Sequence, residues 1–283
     1  MFYQVLGLTF KEQLEEQASG TTVPIVNKSK FNSIPIVLPS IEEQRRIVTL
    51  LDEAFADIAT TKSNAEKNLQ NARDFFSGQL QAIFDSGSKS WTSSTLGQTY
   101  DVRDGTHDSP KYQAEGYPLI TSKNLKREGL SFDDVKLIAE LDYAKINERS
   151  AVHQGDVLLA MIGTIGNPTV VEIEPNFAIK NVALLKVSQT QSSYFLKYFL
   201  STPSVIAKMQ SEAKGTTQKF VGLGYLRAFP ISMPTLAEQQ KIVEKLDELR
   251  TESDRLEYIY RQKLTALDDL KKSLLHQAFS GQL

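Results

Sequence analysis

Apolar residues recur at intervals of three, four or seven along two long stretches of the chain. Sustained spacing of this kind lines one face of a helix and is typical of coiled coils. The first stretch has Ile47, Leu51, Ala54, Ile58, Ala65, Leu69, Ala72 and Phe76, and the second has Ile242, Leu246, Leu249, Leu256, Tyr260, Leu267, Leu274 and Ala278. At 1.5 Å per residue each helix could reach about 70 Å. We expect the two to pair antiparallel within one chain, although a dimer would satisfy the same apolar faces.

Both stretches open with the same capping pattern. Ser40 and Thr235 each follow a proline, and Glu43 and Glu238 come three residues later. In a capping box the hydroxyl accepts a hydrogen bond from the third helical amide, while the glutamate accepts one from the cap amide. The sequence therefore predicts that the two helices start at Ser40 and Thr235.

The region between the long helices has a mixed pattern. Short apolar runs at 117–120, 157–162 and 182–185 predict strands, and residues 192–213 have helical periodicity. Residues 85–88 are small or polar and predict a hinge. The fold class that follows is α+β: a mixed α/β domain with two long antiparallel coiled-coil helices.

An internal repeat runs through the chain at an offset of 195 residues. It aligns Gly20-Thr21-Thr22 with Gly215-Thr216-Thr217 and also relates the pairs Tyr3 and Tyr198, Pro35 and Pro230, Glu43 and Glu238, Leu51 and Leu246, and Phe84 and Phe279. A repeat fixes architecture before any single motif does. It divides the chain into the end of a first domain (1–40), a long helix (41–86), a complete domain (87–235) and a second long helix (236–283).

Composition excludes some classes of protein but does not identify the function. The chain has no cysteine, a formal net charge of −2, no basic leader before an apolar run and no stretch of the roughly 20 apolar residues that span a bilayer. We therefore expect a cytoplasmic protein with no membrane segment. Residues 87–235 contain 16 Lys or Arg against 14 Asp or Glu. Any nucleic-acid binding would need local positive charge, or charge from a partner.

Motifs for catalysis are missing from the sequence. An amino-methyltransferase would carry Asn or Asp followed by Pro-Pro and an aromatic residue, which Asn167-Pro168-Thr169-Val170 does not match, and there is no phosphate-binding Gly-x-x-x-x-Gly-Lys loop. His107, His153 and His276 lack metal-ligand spacing. We expect a protein that is not an enzyme and binds no metal or cofactor of its own.

Polar and cationic side chains that could contact DNA cluster in three places. They combine hydroxyl, amide, imidazole and ammonium groups, which bind phosphates and base edges. The first group is Thr106, His107, Ser109, Lys111, Tyr112, Thr121, Ser122, Lys123 and Asn124, the second is Lys214, Thr216, Thr217, Gln218 and Lys219, and the third is Lys180 and Asn181. A simpler interpretation makes 104–108 an Asx-rich surface turn and Gly215 a helix C-cap before a solvated loop.

Several motifs together resemble a known family. Gly-Thr-Thr before a predicted strand, followed by prolines and a helix beginning Glu-Gln-x-x-Ile-Val, occurs twice and is similar to the conserved regions of type I restriction-modification specificity subunits. The segments 104–110, 119–125 and 160–166 resemble parts of their target recognition domains. The resemblance covers essentially the whole chain.

The resemblance implies a DNA-recognition subunit without catalytic activity. Each recognition domain would read one half of a bipartite site in double-stranded DNA, and the helix pair would set the spacing. A type I methyltransferase subunit and a restriction subunit would dock on the conserved regions. They would bring S-adenosylmethionine, ATP and Mg²⁺, and with them the chemistry.

The chain departs from the family in having one complete recognition domain and only the end of another. We hypothesise that two chains associate as a homodimer and specify an interrupted palindrome. The alternatives are a truncated regulator of a full-length specificity subunit and a coiled-coil scaffold that binds only protein.

Overall fold

The computed structural model describes residues 2–20, 23–36, 38–87, 90–215, 219–280 and 282. The chain forms two compact units: unit 1 comprises Met1–Asp74 and Glu252–Leu283, and unit 2 comprises Phe75–Thr251. Of the repeated Gly-Thr-Thr motif, Thr21, Thr22, Thr216 and Thr217 lie outside the described residues.

The helices fall into short elements and two long ones. The α-helices are α1 (Phe2–Leu6), α2 (Leu8–Glu16), α3 (Lys28–Asn32), α4 (Ile41–Gly87), α5 (Leu96–Thr99), α6 (Glu140–Ser150), α7 (Ser193–Ser201), α8 (Pro203–Ser211), α9 (Leu223–Ala228) and α10 (Leu236–Ser280). A short 3-10 helix spans Ser122–Asn124. No helix in the described parts of the chain is long and apolar enough to cross a membrane.

Every strand among the described residues belongs to unit 2. They are β1 (Thr92–Thr95), β2 (Asp101–Asp104), β3 (Tyr112–Gln113), β4 (Tyr117–Ile120), β5 (Leu125–Lys126), β6 (Gly129–Leu130), β7 (Lys136–Ile138), β8 (Val157–Ala160), β9 (Gly166–Val170), β10 (Ala178–Ile179), β11 (Val182–Lys186) and β12 (Pro230–Met233). A fully antiparallel sheet has the order β2-β11-β8-β9. A second sheet has the order β10-β4-β7-β3, with β10 and β4 parallel, and β1 pairs antiparallel with β12.

The long helices begin where the capping pattern predicts. The Glu43 amide donates to the Ser40 hydroxyl over 3.3 Å, and the Glu238 amide donates to the Thr235 hydroxyl over 3.4 Å. At Thr235 the box is reciprocal, because the Thr235 amide donates to the Glu238 carboxylate at 3.0 Å. These bonds from the Thr235 hydroxyl and amide hold the pKa of Glu238 below its usual value. Glu43 instead binds Arg46, one turn further along.

Within unit 1 the long helices run antiparallel. Lys62 binds Asp268 at 2.6 Å, and Arg73 binds Glu257 at 3.0 Å, so positions later in α4 meet positions earlier in α10. Between the helices, Leu51 is fully buried in a cluster with Ile47, Leu275 and Ala278. This observation confirms the predicted antiparallel pair of long helices.

The repeat is visible in the local structure of both units. With the offset of 195, α2 corresponds to α8, α3 to the first residues of α9, and α1 to the last turn of α7. Tyr3 donates a hydrogen bond to Asp52 in unit 1, as Tyr198 does to Asp247 in unit 2. Likewise the Gln44 and Gln239 amides donate to the carbonyls of the prolines five residues earlier, at 2.7 and 3.0 Å.

The contacts between α4 and α10 also follow the repeat, but the position of the ring in one pair corresponds to the position of the cation in the other. Lys271 lies 5.0 Å from the Phe55 ring in unit 1, and the corresponding pair in unit 2 is Arg250, 4.7 Å from Phe76. Unit 1 contains two ion pairs, Arg73–Glu257 and Lys62–Asp268. The offset relates Arg73 to Asp268 and Lys62 to Glu257, so the two pairs correspond with opposite charges. The pairing geometry is therefore duplicated even where the residues have changed.

Two of the apolar cores of unit 2 pack on the β2-β11-β8-β9 sheet. One packs the end of α4 and the start of α10 against α7, α8 and the β2-β11-β8-β9 sheet, with Phe84, Phe195 and Leu246 at its centre. The other lies on the opposite face of that sheet and includes Leu158, Phe177 and Leu184. Strand β11 supplies Leu185 to the first core and Leu184 to the second, since successive side chains in a strand point to opposite faces.

The structure modifies two local predictions. The helical prediction for residues 192–213 is confirmed, but the segment is two helices, because Pro203 has no amide proton and disfavours a helical conformation at Thr202, whose ψ is 131°. The predicted hinge at 85–88 is helical through Gly87, and Ser88 lies outside the described residues. A Cβ at Gly87 would come within 2.1 Å of the Trp91 ring, so glycine is needed for contact rather than for flexibility.

Truncating either repeated core leucine should destabilise the protein. Because Leu51 and Leu246 are fully buried at equivalent positions, we expect Leu51→Ala and Leu246→Ala each to lower the unfolding free energy by about 2–5 kcal/mol. Urea unfolding measures this. The control Leu270→Ala changes a half-exposed leucine of the same helix pair and should cost less than about 1 kcal/mol. An equal loss in the control would contradict the assignment of the buried face.

Candidate nucleic-acid interface

One edge of the β2-β11-β8-β9 sheet collects most of the predicted DNA-contacting segments. Asp104 at the end of β2 pairs with Ala183, and Ala160 at the end of β8 pairs with Val182 at the start of β11. The loops that follow β2 and β8 and the residues before β11 therefore leave the sheet at the same edge. We call this surface the rim, defined as residues 105–109, 121–124, 161–165, 180–181, 214–215 and 219–220.

Three of the rim segments are joined by backbone hydrogen bonds. The Thr106 amide donates to the Ile179 carbonyl at 3.0 Å, and the Asn181 amide donates to the Thr106 carbonyl at 3.1 Å. The Lys180 amide donates to the Ile120 carbonyl at 2.8 Å, which brings in the segment after β4. A Cβ at Gly105 would lie 2.2 Å from the Ile179 carbonyl oxygen. Glycine is thus required for the close approach of these chains.

A buried carboxylate organises the polar side chains of the first segment. Asp104 is nearly inaccessible and accepts from His107 Nε2 at 2.9 Å and from Arg149 at 3.0 Å. The Nδ1 atom of His107 lies 2.8 Å from the Asn181 side-chain oxygen. The imidazole is therefore fixed between β2 and the start of β11 with its face exposed.

The other polar residues of these segments are held in different ways. Lys180 donates to the Ser109 hydroxyl, and the Ser122 hydroxyl donates to the Asn181 carbonyl at 3.4 Å. Lys123 is exposed. Ser109, Lys180 and Lys123 therefore present hydroxyl and ammonium groups on the rim.

The Asn124 side chain is buried and makes structural hydrogen bonds. It is 5% exposed, and its side-chain oxygen accepts from the Thr121 amide and hydroxyl, both at 2.9 Å. Its NH₂ group donates to the Ser131 carbonyl at 3.1 Å. The side chains of Asn124 and Thr121 are therefore engaged in closing a turn, so within the rim these two residues have a structural role.

Tyr112 lies in β3, where it pairs with Ile138. This strand is at the end of the second sheet opposite to β10, whereas the rim segment 180–181 directly follows β10. Lys111 comes immediately before β3, and both side chains are exposed.

The predicted cationic loop forms a hairpin at the rim. The Lys214 and Phe220 backbones exchange hydrogen bonds at 2.8 and 2.9 Å, and Gly215 turns the chain with a φ of 106°. The Gly163 amide donates to the Lys219 carbonyl at 2.9 Å, joining the hairpin to the loop after β8. Lys214 and Lys219 are exposed, whereas Thr216, Thr217 and Gln218 lie outside the described residues. Since α8 already ends at Ser211, Gly215 is not its C-cap.

Sequence reasoning missed two residues at this surface. Arg149, at the end of α6, reaches the Gly105 carbonyl at 3.1 Å as well as Asp104, although it is more than forty residues away in the chain. Phe220 is an exposed aromatic side chain in the hairpin. A polar-residue search cannot find Phe220, and no local spacing links Arg149 to Asp104.

A nearby arginine is neutralised by its own carboxylate. Arg103 makes two bonds to Asp101, at 2.6 and 2.9 Å, and these hold the pKa of Asp101 below its usual value. The remaining amino group donates to the Arg149 carbonyl. Arg103 therefore supports the Arg149 backbone and offers little charge to a ligand.

The described residues contain no cluster of three histidine or acidic side chains that could hold a metal ion. His153 instead contacts Lys186 at 3.0 Å, beside the buried Asp156, in unit 2, and His276 lies on α10 in unit 1. The arrangement at the rim suits recognition of a polar, anionic polymer, because imidazole, amide and hydroxyl groups lie among lysine ammonium groups.

Comparison with known proteins gives one family. The family described as type I restriction modification DNA specificity domain matches residues 2–70 and 88–265. The EcoKI specificity subunit of Escherichia coli K12 is 20% identical over 97% of this chain and 63% of its own length. The MjaVIII specificity subunit of Methanocaldococcus jannaschii is 24% identical over 99% of this chain and 70% of its own length. The chain thus spans about two thirds of these curated relatives.

Solved structures of the same kind share the fold. A structure reported for assembly and conformational transition of the type I R-M system matches all of this chain and 70% of its own, with a TM-score of 0.83 and 20% identity. The HsdS subunit of Thermoanaerobacter tengcongensis matches with a TM-score of 0.66, also at 20% identity and with the same coverage of both chains.

Asn124 and Lys123 should behave differently although they are neighbours. Removing the buried amide leaves the Thr121 amide and the Ser131 carbonyl without their partner, so Asn124→Ala should lower the unfolding free energy by about 1–3 kcal/mol. Lys123→Ala changes an exposed side chain and should alter stability by no more than about 0.5 kcal/mol. Chemical unfolding of both variants measures this, and equal stabilities would contradict the structural role of Asn124.

Proposed function

The chain belongs to the family of type I restriction modification DNA specificity domains, and on this basis we propose that it is the DNA-recognition subunit of a type I restriction-modification complex. Unit 2 is the recognition domain, and its rim reads one half-site in double-stranded DNA. The proposal rests mainly on one observation: loops from distant parts of the chain meet at one edge of the β2-β11-β8-β9 sheet. These loops carry hydrogen-bonding or cationic side chains.

The roles of the rim residues follow from how they are held. His107 and Asn181 have restricted positions, which suits reading of base edges, where direction matters. Lys123, Lys180, Lys214 and Lys219 suit phosphate contacts, which fix register and carry no sequence information. Arg149 positions Asp104 and thereby His107.

The subunit is non-catalytic in this proposal, and its partners do the chemistry. A methyltransferase subunit brings S-adenosylmethionine, and a restriction subunit brings ATP and Mg²⁺. Both dock on the long helices and adjoining conserved regions. A net charge of −2 fits this division of labour, because much of the positive charge that clamps DNA then comes from partners.

Two copies would provide two recognition domains and specify an interrupted palindrome. The motivation is that the family's relatives are longer than this chain and that the helix contacts of the two units repeat at one offset. Each copy contributes one complete unit 2.

Removing rim charge should weaken DNA binding in a salt-dependent way. For the complex with the methyltransferase subunit, Lys123→Ala and Lys219→Ala should each weaken binding to all sequences. Each should also lower the slope of log K against log [salt] by about 1, since one phosphate contact is lost. Fluorescence anisotropy with duplex DNA at several salt concentrations measures both quantities.

The matched control for that experiment is Lys136→Ala, which removes an exposed charge in β7, outside the rim and the long helices. It should leave the slope unchanged. Unaltered binding in all three variants, with the complex intact, would favour the scaffold interpretation over DNA reading.

The homodimer has a direct test. Gel filtration with light scattering, on the chain alone and with its methyltransferase subunit at micromolar concentration, should show two copies of the chain per complex. One copy under both conditions would contradict the dimer and favour a truncated regulator.

A further inference from the structure

Unit 1 has an apolar groove that no described residue fills. Its volume is about 400 Å³, and it is lined by Phe2, Tyr3, Ile36, Leu38, Val48 and Phe279, among others. Leu38 is 71% exposed, Phe2 69% and Ile36 39%. Apolar side chains exposed together in this way are typical of interaction surfaces.

The internal repeat shows what covers the equivalent surface in unit 2. At the offset of 195, Ile36 corresponds to Ile231 and Leu38 to Met233, and both of the latter lie in β12. Strand β1 pairs with β12 in the register Thr92–Met233 and Ser94–Ile231. Ile231 is consequently 3% exposed. The counterparts of these paired residues, Ile36 and Leu38, are instead exposed in unit 1.

An aromatic residue completes the cover in unit 2. Trp91, immediately before β1, packs edge-to-face on Phe84 at 6.0 Å. Phe84 is the counterpart of Phe279, which lines the groove of unit 1. The sequence contains a single tryptophan. The chain therefore has one segment in which a tryptophan precedes a strand, residues 91–95. It has two surfaces, one in each unit, of the kind that this segment covers.

We propose that the groove of unit 1 binds an antiparallel strand preceded by an aromatic residue, supplied by another recognition domain from outside these 283 residues. The incoming segment has the chemistry of residues 91–97: tryptophan, a Ser/Thr-rich strand, then leucine and glycine. Its backbone pairs with the chain at Ile36 and Leu38, and its aromatic ring packs on Phe279. Strand addition to an open edge is an established mode of peptide recognition.

The chain's own β1 cannot serve both surfaces, because all four of its residues are paired with β12. The inference rests on the repeat and the groove alone. DNA reading by the rim is not among its premises, so a negative result would leave the proposed function standing.

The test uses a fluorescent synthetic peptide with the sequence of residues 90–101, titrated with the full-length chain and followed by fluorescence anisotropy. We expect saturable binding. A peptide with the change Trp91→Ala should bind at least about tenfold more weakly, and so should the unaltered peptide to the chain variants Leu38→Glu and Val48→Glu. Both variants alter exposed residues, so their circular dichroism and thermal unfolding should match the parent chain.

The matched control is Leu141→Glu, which changes a leucine that is 84% exposed on α6 of unit 2 and should bind the peptide as the parent does. Absence of saturable binding, or binding insensitive to both Leu38→Glu and Val48→Glu, would overturn the proposal.

Two further outcomes would assign the surface differently and would also overturn it. Binding that survives Leu38→Glu but is lost in Met233→Glu would mean that the peptide replaces β1 in unit 2. Self-association abolished by Leu38→Glu, in a chain that does not bind the peptide, would assign the groove to the folded surface of a second copy.

Discussion

The antiparallel contact between α4 and α10 is the interaction on which the rest of the structure depends. It contributes to a core in each unit: Leu51 of α4 packs with Leu275 of α10 in unit 1, and Phe84 of α4 shares a core with Leu246 of α10 in unit 2. The helices are separated in sequence by the whole recognition domain, so their pairing closes a long loop. The duplicated cation–ring contacts and the two ion pairs between α4 and α10 keep these helices in one register.

The recognition surface depends on a second constraint, the convergence of loops at one sheet edge. Gly105 allows the chain after β2 to approach β10, and buried Asp104 then fixes His107 with help from Arg149. Polar groups held by such internal bonds lose little further freedom on binding, which favours specificity over mere attraction. Lys123, Lys214 and Lys219 are exposed and suit the uniform phosphate chain. One surface thus combines polar side chains held by internal bonds with exposed cations.

The sequence predicts the parts of this protein that depend on local rules. Capping at Ser40 and Thr235, apolar spacing and the offset of 195 gave both long helices, and the runs at 117–120 and 182–185 are strands. Pro203 broke a helix that periodicity alone would continue. The environments of Asn124 and Arg149 are set by residues distant in sequence: Asn124 is satisfied by Ser131 across a turn, and Arg149 binds a carboxylate on another element. A list of polar loop residues cannot separate such structural partners from exposed ones.

The central claim is that unit 2 reads DNA sequence through its rim. The most direct measurement is single-molecule sequencing of host DNA from cells that co-express this chain with its methyltransferase subunit, in parallel with the variant Asn181→Ala. The account predicts one recurrent methylated motif for the parent chain, an interrupted palindrome if two copies act together, and a relaxed or lost motif for the variant. An intact complex that methylates no motif, or the same motif in both strains, would contradict it.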